Sequence, residues 1–271
     1  MRKTLAILLV TLASASNAQK HKLVKLWETD TVIATPESVL PVNNILYVSL
    51  IDGQPWDADG KGGVAQVGTD GKVINPYWVH GLNAPKGLAK VGNRLYVADI
   101  SDVVVIDITS GKIEKRIKIP AAEGLNDVTA TGNGIVYVSD SKSFKVWRIE
   151  KDQPALYLEN LEGLNGLKSV GNDLFIASGK SFVRSDEKKK VTPVATMPQG
   201  VDGVEPIGNG DFVNTSWGGW IFYVYADGKV ETLLDTSAEK KNTADIGYDP
   251  VKKIVYVPTF FGKTVAAYQL Q

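Results

Sequence analysis

Lys86-Gly87-Leu88-Ala89-Lys90-Val91-Gly92-Asn93-Arg94-Leu95-Tyr96-Val97 decides the fold, because the chain repeats this unit six times. A polar anchor opens it, a short apolar stretch and a Gly-Asn type turn follow, and a strand ends in Tyr-Val or its equivalent. The other copies run from Glu37-Ser38-Val39 to Leu46-Tyr47-Val48, from Asn126-Asp127-Val128 to Val136-Tyr137-Val138, and from Asn165-Gly166-Leu167 to Leu174-Phe175-Ile176. The last two run from Asp202-Gly203-Val204 to Asp211-Phe212-Val213 and from Asp245-Ile246-Gly247 to Val255-Tyr256-Val257. Successive anchors lie 49, 40, 39, 37 and 43 residues apart, which is the period of a propeller blade.

Within each copy the apolar residues alternate at period two, the signature of half-buried strands. Glycine, present 26 times, falls inside every segment that could otherwise be read as a helix. A second hairpin closes each unit, as at Thr69-Asp70-Gly71-Lys72 and Ala226-Asp227-Gly228-Lys229, giving four short antiparallel strands per blade. One such sheet cannot bury both faces, so six must pack radially in a closed ring. The ring also needs a closing strand. Leu23-Val24-Lys25-Leu26-Trp27 precedes the first anchor, and the sixth copy ends at Thr264-Val265-Ala266-Ala267-Tyr268 one strand short. The expectation is an all-β, six-bladed propeller over residues 19–271, its N-terminal strand completing the last blade.

Residues 1–18 read differently. Arg2 and Lys3 precede an apolar run from Leu5 to Ala13 and the small residues Ser16-Asn17-Ala18, the order of a secretory signal cleaved after Ala18. That predicts a periplasmic or secreted protein with no membrane anchor, since no later apolar stretch approaches the ~20 residues of a spanning helix. Thirty basic against thirty acidic side chains exert no whole-chain pull on a phosphate backbone, which argues against nucleic acid. With no cysteine and two histidines in 271 residues, a zinc centre lacks its usual ligands, and a metal in the core would be held by oxygen.

The anchor column supplies that oxygen. The residue entering each innermost strand faces the central channel at one end, which brings Glu37, Lys86, Asn126, Asn165, Asp202 and Asp245 towards one volume. Glu37, Asn126, Asn165 and Asp202 form a hard-oxygen set suited to Ca²⁺, with Asp127 the alternate ligand if the other member of the Asn126-Asp127 pair turns inward. Lys86 and Asp245 are left to pair across the mouth or to orient substrate. Trp56, in the long polar insertion from Asp52 to Gly63, and Trp217, in Ser216-Trp217-Gly218-Gly219-Trp220, are aromatic candidates for contact with a small-molecule substrate. Asp186-Glu187-Lys188-Lys189-Lys190 and Glu239-Lys240-Lys241-Asn242 read as solvated outer hairpins. Neither a phosphate-binding glycine loop nor a Gly-x-Ser-x-Gly elbow is present.

Glu at the first inner strand, Asn at the third, Asn-Gly-Leu at the fourth and Asp-Gly-Val at the fifth resemble the senescence-marker-protein/gluconolactonase family of six-bladed propellers. The resemblance spans the mature chain. It implies a divalent metal, usually calcium, on Glu37, Asn126, Asn165 and Asp202, and hydrolysis of a lactone or ester with Asp202 as general base. Two departures stand out: Pro36-Glu37-Ser38-Val39-Leu40 replaces the family's Glu-Gly-Pro-x-Trp opening, and Lys86 brings a cation to the column. The competing expectation is a non-catalytic binding propeller of the NHL-repeat type, in which a Lys86 salt bridge would fill the metal position.

Overall fold

A computed structural model describes residues 20–31 and 33–271; the expected leader, residues 1–18, lies outside them. Among the described residues, six four-stranded antiparallel sheets account for nearly all regular structure, with two single-turn 3-10 helices, Ser237–Glu239 and Phe260–Gly262. Blades 1 to 5 occupy residues 36–82, 85–118, 125–158, 164–196 and 204–235, each built in chain order from the axis outward. Blade 6 takes three strands from residues 247–270, and Leu23–Glu28 adds the outermost one beside Val265–Leu270. The closing strand therefore comes from the other end of the chain, as the repeat pattern requires. Among the described residues no helix is long and apolar enough to cross a membrane.

The innermost strands Pro36–Val42, Pro85–Val91, Leu125–Ala130, Leu164–Val170, Val204–Gly208 and Gly247–Asp249 each touch the next, and the sixth touches the first. Apolar side chains fill the wedges between blades. Leu88, Leu95 and Val97 of blade 2 meet Tyr47 and Val64 of blade 1, Val128, Val138 and Trp147 of blade 3 meet Tyr96 and Val103, and the other four interfaces repeat the pattern. Each blade hides both faces between neighbours, so burial is continuous around the ring.

Closure is also polar. Glu28 accepts hydrogen bonds from Lys241 Nζ (2.5 Å) and Thr264 Oγ1 (2.6 Å), tying the N-terminal strand to blade 6. Burial pushes the Glu28 carboxyl up, but the hydrogen bonds from Lys241, Lys25 and Thr264 outweigh it and bring the pKa down to about 2. The second charged run thus departs from its expected role. Residues 239–242 connect blades 5 and 6, with Lys241 on Glu28 and a buried Asn242, whereas the turn at residues 186–190 is exposed as expected.

Where the inner strands converge, space disappears. A Cβ on Gly166 would stand 2.0 Å from the Asp202 carbonyl oxygen, one on Gly87 2.5 Å from the Asp127 Cα, and one on Gly203 2.6 Å from the Ile246 nitrogen. None of the three has a left-handed backbone. Glycine follows the anchor there because the neighbouring blade's backbone occupies the position of a side chain.

Candidate functional site

A β-bulge sits at the anchor in each of the first four blades, between Pro36 and Val39, Pro85 and Leu88, Leu125 and Val128, and Leu164 and Leu167. A bulge re-aims the side chain it carries, and here it turns the anchor to one end of the channel. The irregular ladder leaves backbone groups in need of partners. Hydroxyls on the second strands supply them: Ser49 Oγ accepts from Ser38 N (2.9 Å), Ser139 Oγ from Asp127 N (2.8 Å) and Thr215 Oγ1 from Gly203 N (2.8 Å).

Glu37, Lys86, Asn126, Asn165 and Asp202 line one cavity of about 310 Å³, together with Pro55, Trp56, Trp217, Phe260 and Phe261. The expected oxygen set is therefore in one place. Glu37 is buried and its Oε2 has no hydrogen-bond partner. Burial raises its carboxyl well above the ordinary range; Lys86 pulls it back, while Asp202 and Asp245 push it further up. Asp202 is pushed up to about 7 by burial and then by the charge of Asp245, against a hydrogen bond with Asn165 and the attraction of Lys86.

Lys86 does not fill the space between the carboxylates. Its Nζ donates to the backbone oxygens of Pro55 (2.6 Å) and Ala84 (3.4 Å) and lies 4.3 Å from the Trp56 ring centre. Burial lowers its pKa, opposed by Glu37, Asp99 and Asp202. The insertion that lengthens the first repeat is thus fastened to blade 2 by a cation, and Trp56 becomes a wall of the mouth. Lys142 Nζ holds the same indole at 4.5 Å.

Asp245 and Asp127 are not at the mouth. They line a small void deeper in the channel with Ser38, Lys168 and Glu205. Asp245 takes a hydrogen bond from Ser38 Oγ (2.5 Å), so the expected pair across the mouth with Lys86 does not form. Asp127 accepts from Val128 N and Leu167 N, both at 2.6 Å, and the choice within Asn126-Asp127 falls on Asn126 as the mouth residue. Lys168 Nζ meets Glu205 Oε1 at 2.7 Å. Burial raises Asp245 to about 7 and Asp127 well above its ordinary range.

The sequence reading missed half of the aromatic wall. Trp217, 43 % exposed, meets Phe260 and Phe261 edge-on at 5.5 and 5.8 Å, and the two phenylalanines meet each other at 4.8 Å. Phe260 holds a left-handed backbone (φ 47°), a costly conformation for a bulky residue. Its signal was positional: Phe260-Phe261 joins the second and third strands of blade 6, as Trp217 does in blade 5 and Trp56 in blade 1. Asn242 Nδ2 supports the wall by donating to the Trp217 carbonyl (2.9 Å). Two buried carboxylates also escaped notice. Asp99 accepts from Asn83 N, Ala84 N and Arg116, and Asp140 from Glu123 N and Gly124 N; each fixes the approach to an anchor.

No group of three or more His, Cys, Asp or Glu that could hold a metal occurs among the described residues; the mouth offers two carboxylates and two carboxamides instead. No family model matches the chain, and no curated protein matches it. Solved structures match its fold. A streptogramin B lyase is 10 % identical over 93 % of this chain and 97 % of its own, with a TM-score of 0.66. A catalytically inactive virginiamycin B lyase from Staphylococcus aureus with quinupristin is 13 % identical over 92 % and 99 %, with a TM-score of 0.61. A protein of unknown function from Bacteroides thetaiotaomicron is 14 % identical over 93 % and 76 %, with a TM-score of 0.69. At these identities the likeness is one of architecture, and function must be argued from the site.

Proposed function

We propose that this protein is an exported, gluconolactonase-like hydrolase of lactones or esters that works at the channel mouth with a divalent cation, calcium first. Glu37, Asn126, Asn165 and Asp202 would hold the ion. One observation carries the reading: a buried carboxylate oxygen, Glu37 Oε2, has no partner in a cavity that also presents Asp202 and two carboxamides. An unpaired buried carboxylate is costly, and a hard cation with oxygen ligands is the group that satisfies this donor set. Lys86, the competitor for that position, directs its hydrogen bonds to Pro55 and Ala84.

When bound, the ion supplies stabilisation for the carbonyl oxygen of the substrate as it becomes negative. Asp202 accepts the proton of the attacking water; its environment raises it towards neutrality, where a general base is most effective, whereas a bound cation draws it down. Asn165 orients Asp202 through their hydrogen bond. Trp56, Trp217 and Phe260 shield the reacting bond from bulk water and give the substrate an apolar surface.

The same wall favours the second reading, a binding propeller that takes an apolar ligand without turning it over. Calorimetric titration of chelator-stripped protein with calcium separates the two when combined with a lactone and aryl-ester screen. One-to-one binding that Glu37→Gln and Asp202→Asn both lose, with calcium-dependent hydrolysis, is the expected result. Absence of calcium binding overturns the metal mouth, and calcium binding without hydrolysis leaves the binding propeller.

A further inference from the structure

The cavity at the channel mouth has two unlike ends. Its polar side chains stand at the heads of the inner strands of blades 1 to 5, whereas Pro55 and Trp56, Trp217, and Phe260 and Phe261 come from the loops between the second and third strands of blades 1, 5 and 6. Apart from two indole N–H groups, the loop end offers no side-chain donor or acceptor. The volume of about 310 Å³ is at the small end of ligand sites, roughly 300–1,000 Å³, and suits one or two rings rather than a long chain.

The aromatic end is already built. Phe260 packs in a buried cluster with Ile51, Ala84 and Ala244. Its loop is closed by Thr259 N donating to the Thr264 carbonyl (2.9 Å) and Thr264 N donating to Thr259 Oγ1 (3.1 Å), and Thr264 is tied in turn to Glu28. This clamp holds the left-handed Phe260 backbone, and strain of that kind collects at segments that contact ligands. Phe261 is 64 % exposed and Trp217 43 %, so both rings still have surface to bury. The planes of Trp217, Phe260 and Phe261 are mutually close to perpendicular, at 78°, 79° and 86°, which presents faces and edges together to a further ring.

The polar end has little left for hydroxyl groups. On the hydrolase reading above, Glu37, Asn126, Asn165 and Asp202 face the ion, and Lys86 gives its hydrogen bonds to Pro55 and Ala84. A hydroxyl buried against the aromatic end without a partner costs affinity, and a sugar lactone would bury several. An anionic substrate would find Lys86 already engaged. We infer that the substrate is a neutral lactone or ester bearing an aromatic ring, not a sugar lactone, with its carbonyl towards the anchors and its ring against Trp217 and Phe261. The place of the carbonyl rests on the hydrolase reading; that of the ring rests on the wall.

The test uses the calcium-saturated protein, wild type and the Trp217→Ala and Phe261→Ser variants, with γ-phenyl-γ-butyrolactone and glucono-δ-lactone as substrates. Binding of the corresponding phenyl γ-lactam, which resists hydrolysis, is followed by calorimetry, and unfolding midpoints report whether each variant keeps its fold. The expected kcat/KM for the phenyl lactone exceeds that for glucono-δ-lactone by at least ~10-fold. In both folded variants KM for the phenyl lactone rises and lactam affinity falls, by ~10-fold. Preference for glucono-δ-lactone, or lactam affinity unchanged in both variants, overturns the inference and leaves the hydrolase reading standing. Lactam binding that the variants weaken, with neither lactone hydrolysed, overturns the hydrolase reading and keeps the ring on the wall. Absence of lactam binding overturns the inference whatever the turnover.

Discussion

The channel carries two layers of buried charge, and they are completed differently. In the deeper layer Asp127 is satisfied by two backbone N–H groups, Asp245 by Ser38, and Glu205 by Lys168. At the mouth Glu37 Oε2 has no partner, and Lys86 turns towards Pro55. Buried charge is tolerated only when it is compensated. The deeper layer compensates itself and joins inner strands to one another; Asp127 of blade 3 binds the backbone of Leu167 in blade 4. At the mouth, on the reading proposed above, that compensation would come from the bound cation.

The largest effect separating the layers is catalytic. Asp202→Ala is expected to lower kcat for lactone or ester hydrolysis by ~10²–10⁴-fold, whereas Asp127→Asn, one layer down, leaves hydrolysis and calcium affinity near wild type. Equal losses in both variants would erase the functional distinction between the layers.

Next comes the packing that positions the mouth. Gly166→Ala drives a Cβ against the Asp202 carbonyl and is expected to destabilise by about 1–3 kcal/mol in urea unfolding while also weakening calcium binding. Gly132→Ala, with nothing within 4 Å of the added carbon, is the control and should leave calcium binding unchanged.

Asp127→Ala strips two backbone N–H groups of their acceptor and should cost about 1–3 kcal/mol with calcium affinity retained. A calorimetric titration showing lost affinity in a protein that still folds would make the deeper layer part of the site.

The smallest effect is on pH dependence. Asp202 and Asp245 are both raised from 3.8 to about 7, so the folded state holds protons that the unfolded chain has released. Their contribution to stability is present below 3.8 and lost as pH rises through about 7. The chelator-stripped protein should therefore melt several degrees lower at pH 8 than at pH 5.5. Calcium should flatten the part of this slope that comes from the mouth and leave the part from Asp245. A slope unchanged by saturating calcium would place the titration wholly in the deeper layer.

Much of this architecture was legible along the chain. The six anchors marked the inner strands, the missing sixth-blade strand pointed to Leu23–Glu28, and the four oxygen-bearing anchors do share one cavity. The layer of each side chain was not legible. Asn126 and Asp127 are adjacent and both polar, and it is the bulge between Leu125 and Val128 that turns one up and the other in. Asp245 occupies the right column, yet its backbone N–H bonds to the Glu37 carbonyl and its carboxylate to Ser38. Phe260 and Phe261 lie outside the anchor pattern, and their relation to Trp217 exists only across a gap between blades.

By itself the sequence determined the number of blades, the strand that closes them and the donor types at the axis. Period, alternation and turn chemistry are local properties that each repeat carries in its own residues. Tertiary structure alone decided which donors lack partners, where Lys86 spends its charge and which aromatics form a wall. Those outcomes depend on distances between residues far apart in the chain, set when closure of the ring fixes every inner strand against its neighbours.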